Sequence, residues 1–213
     1  MSEAREQILE RIRYALADVP PDEREEDVVV RRTYLIREPD ATLDRFVERV
    51  RDYKSSVYVV PNDGVAAGIE EALRNFSVTR VVAPEDMPAE WAPKGIEVVP
   101  DVGLSATELD SIGATLTGCA LGIAETGTVV LDTGPGQGRR VLTLVPDIHV
   151  CVVREDQVVD GVPSAMRALA SELRATRRPL TFISGPSATS DIELSRVEGV
   201  HGPRRFALVV VLR

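Results

Sequence analysis

The run Gly118-Cys-Ala-Leu-Gly-Ile-Ala-Glu-Thr-Gly-Thr128 sets Glu125 between an apolar stretch and Thr126, Gly127 and Thr128, whose backbone N–H groups can face a ligand. A lone carboxylate at such a bend can be a nucleophile, a general base or a hydrogen-bonded structural anchor. Next along the chain, Thr133-Gly-Pro-Gly-Gln-Gly-Arg-Arg140 is a glycine-rich loop running into two arginines. Gly136 and Gly138 would let the backbone wrap a phosphate or carboxylate, and the guanidinium of Arg139 would neutralise it. The loop matches neither the Walker spacing nor the dinucleotide fingerprint, and a plain tight turn explains it equally well.

A further segment, Ser184-Gly-Pro-Ser-Ala-Thr-Ser-Asp-Ile-Glu193, follows an apolar strand with hydroxyls and then acids. Ser184, Gly185, Ser187 and Asp191 are candidates for a helix cap with an anion site at its start, or simply for turning the backbone. His201, in Gly199-Val-His-Gly-Pro203, and His149, in Asp147-Ile-His-Val-Cys151, are the chain's two histidines. A lone histidine is more often a hydrogen-bonding residue than a ligand, so no metal site is expected.

These residues need a scaffold, and the composition supplies one. With 213 residues, 44% hydrophobic and 28% charged, the chain can bury one sizeable core, with an N-terminal arm. The longest apolar runs, such as Ala207 to Leu212, are strand-length and far below the ~20 residues of a membrane-spanning helix. Met1 to Arg11 alternates charges without an apolar signal segment, so the expected location is the cytoplasm. A net charge of −9 and few aromatic residues argue against nucleic acid as a partner. The two cysteines, Cys119 and Cys151, read as core thiols. They are too few for an iron–sulfur cluster, which takes four thiolates, so no cofactor is expected in this chain.

Ile8, Leu9, Ile12 and Leu16 form a helical stripe that Pro20-Pro21 would stop, and an acidic connection then leads to a short strand at Thr33 to Ile36. Residues 1–30 are read as this arm and 31–213 as an α/β domain. Leu43, Phe46, Val47, Val50 and Tyr53 recur at helical spacing, as do Val65, Ile69, Ala72, Leu73 and Phe76. Strands at Val57 to Val60, Val78 to Ala83 and Ile96 to Val99 alternate with these helices, which predicts a largely parallel sheet covered on both faces. After Asp101, strands crowd together at Ala114 to Thr117, Gly122 to Asp132, Arg140 to Val145 and His149 to Val153, so hairpin or mixed pairing is expected there. A last helix carries Met166, Leu169, Ala170 and Leu173 on one face behind Pro163, and strands at Leu180 to Ser184 and Phe206 to Leu212 close the fold.

In this order the motifs resemble the LUD domain of the lactate utilization protein C family. The resemblance is carried by Gly122-Ile-Ala-Glu-Thr-Gly-Thr-Val-Val-Leu131, Gly136-Gln-Gly-Arg139, Val145-Pro-Asp-Ile-His149, Ser184-Gly-Pro-Ser187 with Asp191-Ile-Glu193, and Gly199-Val-His-Gly-Pro203. It is close over residues 107–210 and loose elsewhere. It implies an open, mostly parallel or mixed α/β sheet flanked by helices, similar to the NagB, ribose-phosphate isomerase and CoA-transferase group. It also implies a part in oxidising L-lactate to pyruvate, alongside partner subunits that hold iron–sulfur clusters, with a small carboxylate or other anion as ligand. A free-standing enzyme similar to CoA transferases or formyltetrahydrofolate cyclo-ligase, with Glu125 attacking an acyl or phosphoryl group, is the alternative. The chain departs from the family at Ala188, where an arginine is usual; anion binding there is either weakened or supplied with a cation by Arg139, Arg140 or Arg204.

Overall fold

In a computed structural model of the chain, residues 3–24, 27, 29, 43–189, 197–199 and 201–213 are described. The strand expected at Thr33 to Ile36 and the candidate Asp191 lie outside them. The chain divides into two compact units, Met1–Ile36 and Arg37–Arg213.

In the first unit, α1 (Glu3–Ala15) is the expected amphipathic helix, acidic in its first turn and basic in its last, as the helix dipole favours. Its stripe buries nothing within that unit, where Ile8, Ile12 and Leu16 are exposed.

The second unit is built on a six-stranded, wholly parallel sheet. Its strands are β1 (Ser56–Val60), β2 (Arg80–Ala83), β3 (Glu97–Pro100), β4 (Ala114–Thr117), β7 (Ile148–Arg154) and β12 (Arg205–Val211), in the order β1-β12-β7-β4-β2-β3. The inner strands β7 and β12 are runs of valine, isoleucine and leucine because both their faces are covered. On one face Leu116, Val150, Val152, Ala207 and Val209 pack on Val65, Ile69, Ala72 and Leu73 of α3 (Val65–Asn75). On the other, Cys151, Val153, Phe206, Leu208 and Val210 meet Phe46, Val47 and Val50 of α2 (Leu43–Asp52) together with Val129 and Leu131.

Val129 and Leu131 belong to a second sheet of four strands, in which the mixed pairing expected after Asp101 is found. Its strands are β5 (Leu121–Ile123), β6 (Thr128–Leu131), β8 (Val158–Val159) and β9 (Thr181–Ile183), in the order β8-β5-β6-β9. Its far face carries Leu121, Ile123 and Val130 against Ala165 and Leu169 of α5 (Val162–Thr176), which has its proline in the first turn as expected. Met166 of the predicted core stripe is instead exposed, and so is Tyr53. A short antiparallel pair, β10 (Ala188–Thr189) and β11 (Val197–Glu198), completes the elements.

Three local readings change. The strand expected over Gly122 to Asp132 is the antiparallel pair β5 and β6, parted by a turn. The strand expected over Arg140 to Val145 is a 3-10 turn at Arg140–Thr143. The Val-Leu-Thr-Leu-Val alternation suits a strand, but Leu142 is fully buried against Leu109 and Val82, which ties the segment to a helix rather than to a ladder. That helix, α4 (Ala106–Ile112), was unanticipated. It starts with a capping box in which the Ser105 hydroxyl accepts from the Glu108 N–H and the Glu108 carboxylate accepts from the Ser105 N–H, and it stops at Gly113 in the left-handed conformation.

Candidate ligand-binding site

A cleft of about 250 Å³ opens beside the first residues of β7 and β12, walled by β9 and the loops that follow it. It gathers Ser184, Gly185, Ser187 and His201, predicted candidates, with Arg140, Thr143, His149 and Phe206. Ser187 organises the rim: its N–H donates to the Pro203 carbonyl at 2.8 Å, its own carbonyl accepts from Gly199 N–H at 2.8 Å, and its hydroxyl accepts from His201 N–H at 3.1 Å. Gly185 sits at φ +97°, where a Cβ would come 2.6 Å from the Tyr53 Cβ, so only glycine lets this loop approach α2's end.

The inner wall is polar and buried. His149 is 1% exposed, and the register aligns it with Thr115 on β4 and Phe206 on β12. Its Nε2 shares a hydrogen bond with the Thr117 hydroxyl at 2.8 Å, and its ring meets Phe206 edge-on with centroids 5.2 Å apart. Burial, helped by the positive charge of Arg140, lowers its pKa from 6.5 to about 3, so the ring is neutral at physiological pH. The buried Nδ1 of His149 and the buried Oγ1 of Thr115 have no hydrogen-bond partner among the described residues. Such orphaned groups cost about 1–3 kcal/mol each, an expense a ligand or water reaching them would remove.

Arg139 and Arg140 part company at this point. Arg139 turns away and grips Asp101 through Nε (2.8 Å) and Nη2 (2.6 Å), with Nη2 also donating to the Leu104 carbonyl at 2.9 Å. That grip lowers the Asp101 pKa and raises that of Arg139. The pair lies in a second, open cleft with Pro84, Glu85, Asp86, Thr133 and Gly138. There the Gly136 N–H donates to the Asp86 carboxylate at 2.9 Å, so the predicted anion cradle is occupied by the protein's own carboxylates. Arg140 instead lines the first cleft, donating to the carbonyl and hydroxyl of Thr143. It has no carboxylate partner among the described residues, and partial desolvation lowers its pKa. Arg204 pairs with Asp147 at 3.2 Å.

Glu125 is not in either cleft. It is exposed on the turn between β5 and β6, its N–H donating to the Asp160 carbonyl at 2.9 Å. The turn connects to the first cleft through hydroxyls, Thr126 to Thr128 at 2.7 Å and Thr128 to Ser184 at 2.8 Å. Gly127, at φ +61°, is held against α2, where a Cβ would stand 2.6 Å from the carbonyl carbon of Arg49. Both cysteines are buried, and the hydrogen-bonding interaction with Cys151, together with burial, pushes the Cys119 thiol well up. Among the described residues no group of three or more His, Cys, Asp or Glu side chains is placed to hold a metal ion.

A family model described as the LUD domain matches residues 43–211. The chain belongs to the LUD-domain family. A protein named Lactate utilization protein C from Deinococcus radiodurans is 49% identical over 170 residues, 79% of each chain. One of the same name from Bacillus velezensis is 28% identical over 194 residues, 80% of this chain and 79% of the relative. A crystal structure of a DUF162-family protein from Deinococcus radiodurans superposes with a TM-score of 0.68 at 42% identity, covering 79% of this chain and 95% of that one. The resemblance read from the motifs is borne out, and so is the α/β class with its mostly parallel sheet. Within this LUD domain, Ala188 lines the same cleft as Arg140, so of the three arginines weighed as substitutes for the usual one, Arg140 is the one in place. Arg140 is singled out by sequence only as one of three substitute cations and His149 only as a lone histidine, because what matters is which face of their element they take. The nearest sequence signal was the threonine-rich Thr115-Leu-Thr117 stretch, polar on what must be a buried strand.

Proposed function

We propose that this LUD-domain chain is a non-redox subunit of a cytoplasmic system that oxidises L-lactate to pyruvate, working with partner proteins that carry iron–sulfur clusters. It binds a small carboxylate in the cleft formed by Arg140, His149, Ser184 and Ser187. The observation that carries the reading is a cation, Arg140, unmatched by any carboxylate among the described residues of a cleft ringed by hydroxyls and backbone turns. The names of the relatives support the pathway. The electron-carrying role falls to partners because the sequence has two cysteines, both buried in the core, against the four thiolates of an ordinary cluster. No helix among the described residues is long and apolar enough to cross a membrane.

The test is deletion of the gene in its source organism, followed by growth on L-lactate as sole carbon source. Lost growth, restored by the wild-type gene, is expected, with iron–sulfur proteins co-purifying with the tagged chain; normal growth of the deletion strain overturns the reading. The alternative, an independent enzyme with Glu125 as nucleophile, draws on the hydroxyl chain that joins its turn to Ser184. The exposure of Glu125 outside the cleft weighs against it.

A further inference from the structure

The LUD match begins at residue 43, and the arm ahead of it carries an apolar stripe that the described residues leave uncovered. Ile8, Ile12, Leu16 and Val19 recur at the three- and four-residue spacing of one helix face, and they are 58%, 48%, 55% and 42% exposed. No residue of α1 is buried among the described residues. A 13-residue helix is too short to hold its shape in water by propensity alone, so its apolar face calls for a cover.

The charges beside the stripe say which cover fits. At about 100° per residue, Glu6 and Arg13 lie together on one flank of it, both exposed, and Arg11 lies on the other. The first turn is acidic, with Glu3 and Glu6, and the last is basic, with Arg13. Two copies of α1 laid antiparallel set each acidic first turn beside a basic last turn and oppose the two helix dipoles. A parallel pair would set like charge beside like charge. The antiparallel register that places Ile8 level with Ile12 of the second copy also brings Glu6 level, to within one residue, with Arg13 of that copy. Apolar pairing and ion pairing therefore demand the same alignment, and two-fold symmetry makes each contact twice.

We infer that α1 is a self-association surface whose partner is α1 of a second copy of this chain. The pair is antiparallel, held by Ile8, Ile12 and Leu16 and aligned by Glu6 with Arg13. From Ile8 to Leu16 the stripe runs only about 12 Å, far short of a standard protein interface, so the dimer is weak and forms in the micromolar range. Arg11 adds to that weakness, because in this register it meets its own counterpart near the two-fold axis, like charge against like.

Sedimentation of the full chain between about 2 and 200 µM tests this. A monomer is expected at the low end and a dimer at the high end. Ile12→Lys, which places a good helix former at an exposed position, abolishes the dimer and leaves the unfolding midpoint unchanged. Glu6→Arg and Arg13→Glu each weaken association about tenfold, and an equimolar mixture of the two recovers it, because each supplies the charge that the other now lacks. Arg11→Gln tightens the dimer about twofold. A wild-type chain that is monomeric throughout overturns the inference and gives the stripe to a different protein; a dimer that survives Ile12→Lys overturns it as well. Charge variants that fail to rescue each other on mixing, or an Arg11→Gln chain that associates more weakly, overturn the antiparallel pairing. None of these results depends on the ligand of the cleft, so the reading of that site stands or falls separately.

Discussion

Two regions of this molecule read alike as sequence and behave oppositely in three dimensions. The first, the turn at Glu125–Thr128 with the loop at Gly136–Arg139, has the glycines, the carboxylate and the guanidinium of an anion site. Its glycines and guanidinium are nevertheless engaged by the protein itself, while the Glu125 carboxylate stays exposed to solvent: Gly127 packs on α2, Gly136 N–H meets Asp86 and Arg139 grips Asp101. The second, around Arg140, His149, Ser184 and Ser187, has a weaker motif and keeps its polar groups unmatched, with a cation lacking a counter-ion and a buried ring nitrogen lacking a partner among the described residues. Residue type marks both regions as capable of chemistry. What distinguishes them is whether neighbouring side chains have already used that capacity.

The contrast is sharpest where a substitution that is mild in one region is severe in the other. Gly127→Ala should be the most damaging: the residue is at φ +61° and its new Cβ would lie 2.6 Å from the Arg49 carbonyl carbon and 2.7 Å from the Val50 nitrogen. Backbone strain and overpacking together should cost at least about 3 kcal/mol. Chemical denaturation reads this loss, and an unchanged midpoint would return the glycine to a ligand-facing role.

Acid comes next. The His149 pKa is depressed in the fold, so below about pH 6.5 the unfolded chain takes up a proton that the folded chain refuses, and stability falls as pH falls from there toward the folded value of about 3. Between pH 6.5 and about 4.5 the loss should be roughly 2 kcal/mol, followed by unfolding in urea at each pH. Asp101 and Asp156, whose pKa values are also lowered, stabilise the fold above their unfolded values and lose that contribution only at lower pH. The His149→Gln variant should therefore flatten the upper window alone; a slope that survives it would mean that the ring is not the group responsible.

The adjacent arginines give a crossover. Arg140→Gln should lower affinity for the bound acid at least tenfold, about 1.4 kcal/mol, while leaving the unfolding midpoint nearly unchanged. Arg139→Gln should do the opposite, leaving binding intact and costing about 1 kcal/mol of stability by stripping the buried carboxylate of Asp101 of its charged donor. Equal effects of the two substitutions would dissolve the distinction between the regions.

The sequence carried the fold further than the site. Alternation of apolar strands with amphipathic helices is dictated by burial on both faces, so β1, β2, β3, α2 and α3 could be read directly. The Arg140–Val145 stretch misled because Val-Leu-Thr-Leu-Val has the period of a strand, while its packing partner, Leu109 of α4, is some thirty residues away in sequence. The same non-locality hid the site. Ser184, Gly185 and Ser187 are marked by their turn chemistry and His201 by being one of two histidines, signals that are local. The importance of His149 depends on Thr117 holding one ring nitrogen and no described residue holding the other, which the register of β4 against β7 decides.

Glu125→Gln should have the smallest effect, and for that reason it discriminates best between the two functional readings. The side chain is exposed, lines neither cleft, and has no hydrogen-bond or ion-pair partner among the described residues, so removing its charge should change stability by no more than about 0.5 kcal/mol. If the chain works by holding a small acid at Arg140 and His149, the variant should bind that acid as the wild type does and should restore growth on L-lactate. A glutamate that attacks an acyl or phosphoryl group cannot be replaced by an amide, because the amide lacks the anionic oxygen that forms the new bond. A folded Glu125→Gln chain that binds the acid normally and fails to restore growth would therefore locate chemistry on the turn. The hydroxyls of Thr126 and Thr128 would then be the connection from that turn to the ligand cleft at Ser184.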